Sequence, residues 1–168
     1  MRATGSEDVT LQDYFVPRDQ TLFADAFVNG GSPGELADPD NELVRCPIFR
    51  IAALSHPAYT LGAAERALEL FAEDILPRRQ RYWGGGALKD SSVIHMRYAY
   101  AVRDYHVADL LARDLVERTV KGLRSSYSLE DRAHITLMSA SSIEAAGQVV
   151  RALVRQSGGS IHFTGKEL

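Results

Sequence analysis

Residues 48–76 read IFRIAALSHPAYTLGAAERALELFAEDIL, with apolar side chains at Ile51, Leu54, Ala58, Leu61, Ala64, Leu68, Phe71 and Ile75. Steps of three and four place these positions on one face of an α-helix, because 3.6 residues per turn stacks i, i+3, i+4 and i+7. Pro57 falls inside the pattern and should either kink this helix or mark its first turn, since proline lacks the N–H that an interior turn needs. Pro77 and the run Gly84-Gly85-Gly86 end it.

Two further long helices follow. Asp90 and Ser91 are good N-cap residues, and after them Ile94, Tyr98, Ala101, Tyr105, Ala108 and Leu115 share a face through residue 121. Gly122 can close that helix. The third begins near Ser128, where Asp131 three residues on completes a weak variant of the capping box, and runs to about Arg155. Its middle, MSASSIEAAG, is rich in small residues and permits close helix approach. Gly158-Gly159 stops it.

Ahead of the helices the pattern changes. Residues 7–16, EDVTLQDYFV, set Val9, Leu11 and Phe15 among polar neighbours and predict a short strand ended by Pro17. No hairpin partner follows, so the strand either pairs with sheet outside this chain or frays. Residues 18–47 read as a linker loop, with Gly, Pro, Asp and Asn concentrated in NGGSPGELADPDNE at 29–42. The expected class is therefore mainly α: residues 1–17 a strand remnant, 18–47 a linker, and 48–168 a bundle of three long up-down helices.

Composition narrows the function classes. The chain has 168 residues, 45% hydrophobic and 24% charged, with a net charge of −3, which gives no bulk attraction to nucleic acid or anionic membrane. One cysteine, Cys46, offers neither an internal disulfide nor a CxxC metal pair. No stretch approaches the roughly 18 apolar residues of a membrane span, and the N-terminus has no secretory pattern. A cytoplasmic location is expected.

No catalytic constellation stands out. His56, His95, His106, His134 and His162 lack metal-ligand spacing, and each reads as a packing or surface residue. Ser139, Ser141 and Ser142 lie in a helical pattern without a nucleophile elbow and read as helix-packing residues. Gly84-Gly85-Gly86 lacks the ending of a phosphate loop. Arg78, Arg79 and Arg81 have two readings: favourable charge at a helix C-terminus, or an anion clamp matched to phosphate. Gly158-Gly159 is either a helix C-cap or a turn that lets backbone approach a ligand.

Taken in order, these pieces resemble one family. MRATGSEDVTLQDYFVP (1–17) looks like the end of the β-domain of acyl-CoA dehydrogenase-like flavoproteins, the helices look like its C-terminal bundle, and RQSGGSIHFTGKEL (155–168) looks like the Gly-Gly segment after it. TGSEDVTLQDYFVP is most similar to the flavin-dependent monooxygenase branch, the oxygenase components of two-component hydroxylases. The resemblance implies a chain truncated at both ends relative to the family. It also implies a reaction in which reduced FMN (or FAD) from a separate flavin reductase, with O2, hydroxylates an aromatic or polyketide-type small molecule, and a homo-oligomer, a tetramer, built through these helices.

By position, the resemblance implies cofactor-binding roles for Arg79, Arg81, Gly158 and Gly159. The first two lie near a phosphate-contacting arginine, and the last two lie at a turn that approaches a neighbouring subunit's flavin. Phe49 and His56 fall on the substrate side, and Arg155, where dehydrogenases often have glutamine, favours FMN. A fragment of an acyl-CoA dehydrogenase and a flavin-free helical interaction module are the competing expectations. On its own, the chain is expected to be inactive.

Overall fold

The computed structural model describes residues 8–25, 34, 37–46, 48–78, 86–123 and 128–158. Three long helices dominate: α1 Ile48–Leu70, α2 Ser92–Lys121 and α3 Leu129–Ser157. Each packs on the other two. The Ser139 hydroxyl, in the first half of α3, meets the Ala53 carbonyl in the first half of α1, and Phe71 and Leu153 share the core further along both. Arg50, at the start of α1, reaches the Gly122 carbonyl just past the end of α2. The chain direction is therefore up, down, up, with α1 and α3 parallel and α2 antiparallel to both.

The helix starts follow the expected chemistry. Ser128 caps α3: its hydroxyl accepts from the Asp131 N–H at 3.0 Å, and the Asp131 carboxylate accepts from the Ser128 N–H at 3.0 Å and hydroxyl at 2.7 Å. Two otherwise orphan donors are thereby satisfied, even with the shorter Asp in place of Glu. Those hydrogen bonds from Ser128 hold the Asp131 carboxyl below its usual range. Ser91 stands at the N-cap of α2 without a side-chain cap bond, and Gly158 at the C-cap of α3.

α1 passes into a π turn at Phe71–Ile75, where the Leu76 N–H reaches back five residues to the Phe71 carbonyl at 3.0 Å. Both end residues of that turn stay in the core, which joins Ala64, Leu68, Phe71 and Ile75 to Ala101 and Ala108 of α2 and to Ala146, Val149 and Leu153 of α3. The Phe71 ring stacks on Tyr98, centroids 5.8 Å apart. Alanines at the facing positions allow the helices to approach closely. The serines at the crossing bond across it: the buried Ser142 hydroxyl donates to the Ala108 carbonyl at 2.9 Å.

Two sequence expectations need correction. Residues 8–17 form no strand; Val9 and Phe15 are each 84% exposed, and Asp13 takes a positive φ of 52°. β-propensity cannot hold an extended segment whose N–H and C=O groups find no neighbouring strand, and among the described residues none is present. The 18–47 region is not wholly loop either. Arg18–Gln20 makes a 3₁₀ turn, and Glu42–Arg45 a one-turn helix started by Asn41, whose side chain accepts from the Leu43 N–H at 3.1 Å.

Candidate functional site

Pro57 sits inside α1 and is fully buried. It cannot donate to the carbonyl four residues earlier, that of Ala53, and its ring crowds that carbonyl. The freed oxygen is met from another helix, by the Ser139 hydroxyl of α3 at 3.0 Å. The adjacent Ala52 carbonyl also collects extra donors, Ser55 Oγ at 2.8 Å and His56 Nδ1 at 2.9 Å. One turn on, the Thr60 hydroxyl donates to the carbonyls of His56 and Pro57, each at 3.0 Å. A single proline thus opens a turn of helix and gathers polar side chains around it.

That geometry fixes the state of His56. A carbonyl oxygen only accepts, so Nδ1 must carry the hydrogen it shares with Ala52. In the neutral ring Nε2 is then a bare acceptor. His56 helps line a groove of about 280 Å³ between α1 and α3, with Ala52, Ala53, Thr136, Ser139, Ala140 and Ile143. The small side chains leave room, with His56 on the α1 wall and Thr136 and Ser139 on the α3 wall. On the other flank of α1, Leu54, Pro57 and Leu61 face Ala112, Leu115 and Val116 of α2 across an apolar groove of about 400 Å³.

The same proline makes the site testable. Ser139→Ala should lower stability by about 1–3 kcal/mol, since it leaves the Ala53 carbonyl without its donor in a part-buried place. In a Pro57→Ala background the backbone N–H returns, and the cost should shrink to a few tenths of a kcal/mol. Urea unfolding of the four proteins in this cycle gives the coupling. Equal losses in both backgrounds would show that Ser139 does not serve the carbonyl Pro57 frees.

The other sequence-picked residues are distributed as follows. Phe49 lies in the first turn of α1, two turns before His56. Gly158 lies at the far end of the bundle, fifteen residues beyond Ile143 along the chain and about 22 Å along α3. One copy therefore does not bring Gly158 and His56 together. Gly158 has φ 78° and ψ −179°, a conformation essentially confined to glycine, and among the described residues nothing lies within 4 Å of where a Cβ would stand.

Arg79, Arg81 and Gly159 lie outside the described residues, as does His162. Their neighbour Arg78 donates through Nε to the Asp74 carbonyl at 2.8 Å, the helix-end role expected of a basic residue there. Among the described residues no group of three or more His, Cys, Asp and Glu could hold a metal. The Cys46 thiol is buried, and that burial pushes its pKa up against the opposing pull of Arg50.

Sequence reasoning named His56 but missed Ser139 and Thr136 as its groove partners. A signal was present: a proline inside a helical pattern leaves the carbonyl four residues back in need of a donor, and a run of serines on another helix can supply one.

The family comparison bears on the whole bundle. The family described as acyl-CoA dehydrogenase, C-terminal domain, matches residues 54–168. The chain belongs to that family. This acyl-CoA dehydrogenase C-terminal domain is also similar to a pigment production hydroxylase of Rhodococcus sp. (strain ATCC 21145), 26% identical over 159 residues, which cover 95% of this chain and 41% of that protein. The domain thus spans about two fifths of the length of the curated relative it matches. No solved structure matches it significantly. A mainly helical bundle of the acyl-CoA dehydrogenase C-terminal type, of oxidoreductase kinship, agrees with α1 to α3 as described. No described helix is long and apolar enough to cross a membrane.

Proposed function

We propose that this chain is the C-terminal bundle of a flavin-dependent monooxygenase that hydroxylates an aromatic or polyketide-type substrate. Similarity to a hydroxylase along nearly the whole chain is the observation that carries the reading, and it favours oxygenation over the dehydrogenation of acyl-CoA substrates. In this reading residues 1–17 border a β-domain, 18–47 link to it, and 48–168 form the bundle of a cytoplasmic homotetramer.

Arg79 and Arg81 would hold the flavin phosphate with guanidinium donors, and Gly158 and Gly159 would approach the flavin of a neighbouring copy. The glycine-only conformation at Gly158 and its distance from His56 along the bundle both fit a cofactor shared between copies. Reduced FMN, or FAD, from a separate reductase would supply the electrons with which O2 delivers one oxygen atom to the substrate. Phe49 and His56 stand on the substrate side. His56 Nε2 would accept the hydrogen of a phenolic hydroxyl, drawing its proton away and enriching the ring carbons that are to be oxygenated.

Complementation tests this. Co-expression with the part of the pigment hydroxylase that precedes the matched region should give a complex that binds reduced FMN or FAD, read by fluorescence, where neither piece alone does. Arg79→Ala with Arg81→Ala should weaken that binding about tenfold or more, the loss of charge-assisted bonds worth roughly 1.5–3 kcal/mol. A well-folded complex that binds no flavin overturns the reading.

A further inference from the structure

Three polar side chains line the groove between α1 and α3: His56, Thr136 and Ser139. The hydrogen of each is already spent on a backbone carbonyl. His56 Nδ1 donates to Ala52 at 2.9 Å, the Thr136 hydroxyl to Arg132 at 2.9 Å and the Ser139 hydroxyl to Ala53 at 3.0 Å. What all three have left are lone pairs, on Nε2 of the imidazole and on two hydroxyl oxygens. Among the described residues that line the groove there is no Lys, Arg, Asn, Gln or Trp. The backbone N–H groups of these residues donate along their own helices.

We propose that this groove takes a neutral aromatic ring carrying two hydroxyl groups and discriminates against aromatic carboxylates, because it accepts hydrogen bonds and donates none. One hydroxyl donates to His56 Nε2 on the α1 wall. The second donates to the Thr136 oxygen on the α3 wall, since Thr136 is exposed whereas Ser139 is buried. Ala52, Ala53, Ala140 and Ile143 give the ring apolar contact. A cavity of about 150 Å³ is enough for benzene. The groove's volume of about 280 Å³ therefore suits one substituted ring.

A carboxylate in the same place would lose water and meet only lone pairs, leaving its charge unanswered. A site whose polar groups all await donors likewise rejects an analogue from which the donors are removed. The proposal rests on the reading that sets the substrate beside His56, and narrows that substrate from any phenol to a benzenediol.

Binding is measured on the 168-residue chain without flavin, by amide NMR shifts at Ala52, Thr136, Ser139 and Ala140. The solution is held at about pH 8.5, above the range in which an imidazole ordinarily takes a proton. Resorcinol should shift these amides. Its dimethyl ether keeps the ring but has no donor, and should bind about tenfold or more weaker. 3-Hydroxybenzoate, with a carboxylate in place of one hydroxyl, should also bind about tenfold or more weaker.

Thr136→Val keeps the side-chain shape and removes an acceptor, so it should weaken resorcinol about three- to tenfold and leave the ether unchanged. Ala140→Lys brings a donor into the groove and should place 3-hydroxybenzoate ahead of resorcinol. Should either variant lose helicity by circular dichroism, the three-ligand comparison on the parent chain decides. Absence of shifts at these amides, equal affinity for resorcinol and its ether, tighter binding of the carboxylate by the parent chain, or a folded Thr136→Val chain that separates diol from ether as the parent does overturns the proposal. Flavin plays no part in this test. A complemented complex that binds no flavin leaves its result standing, and a flavin-loaded complex whose groove prefers carboxylates removes this proposal alone.

Discussion

Replacing Phe71 by Ala should remove about 3–5 kcal/mol of stability, the range for deleting a fully buried aromatic ring. Phe71 is completely buried, stacks on Tyr98 and sits among Leu68, Ile75, Val149 and Leu153. It is also the first residue of the π turn, whose backbone bond from Leu76 survives truncation of the side chain. The loss is therefore of packing, and the cavity cannot close easily because the neighbouring alanines have nothing to extend into it. Domains of this size are commonly stable by about 5–15 kcal/mol, so the variant should unfold at much lower urea with an unchanged slope. Phe71→Leu should cost clearly less, since most of the volume is kept. A loss under about 1 kcal/mol for Phe71→Ala would mean that the ring is not part of the core.

The second large effect is expected at His56. In the complemented enzyme supplied with reduced flavin, His56→Phe should lower hydroxylation of a phenolic substrate by about 10²–10⁴-fold, the usual contribution of a positioned acid–base group. Flavin binding should change far less than turnover, because the proposed role of His56 is toward the substrate hydroxyl and not toward the cofactor. His56→Gln separates positioning from proton transfer: an amide can accept the substrate hydrogen bond but cannot take the proton, so substrate binding should be kept and turnover lost. Equal activity of parent and His56→Phe enzymes would remove His56 from the reaction.

Burial patterns separate what periodicity can reveal from what it cannot. The spacing in 48–76 names one apolar face, yet only its second half, from Ala64 to Ile75, is fully buried in this chain, while Ile51 is 41% exposed. Periodicity shows which side of a helix seeks cover; it cannot say whether the same chain provides it. The expected strand at 7–16 failed for a related reason, since strand propensity is local but strand stability depends on a partner. The serine run was readable as a helix-packing patch, whereas its partners, the carbonyls of Ala53 and Ala108, were not.

The sequence by itself determined three long helices, their caps, the close-packing serine and alanine face, and kinship with a flavin-using family. All of these are written in residues at most a few turns apart, where propensity, spacing and capping act. Only the tertiary structure decided that Ser139 answers the carbonyl freed by Pro57, 86 residues away, and so set the groove beside His56. A buried carbonyl accepts any donor that reaches it, and which one does so depends on how whole helices pack, a choice no local pattern encodes.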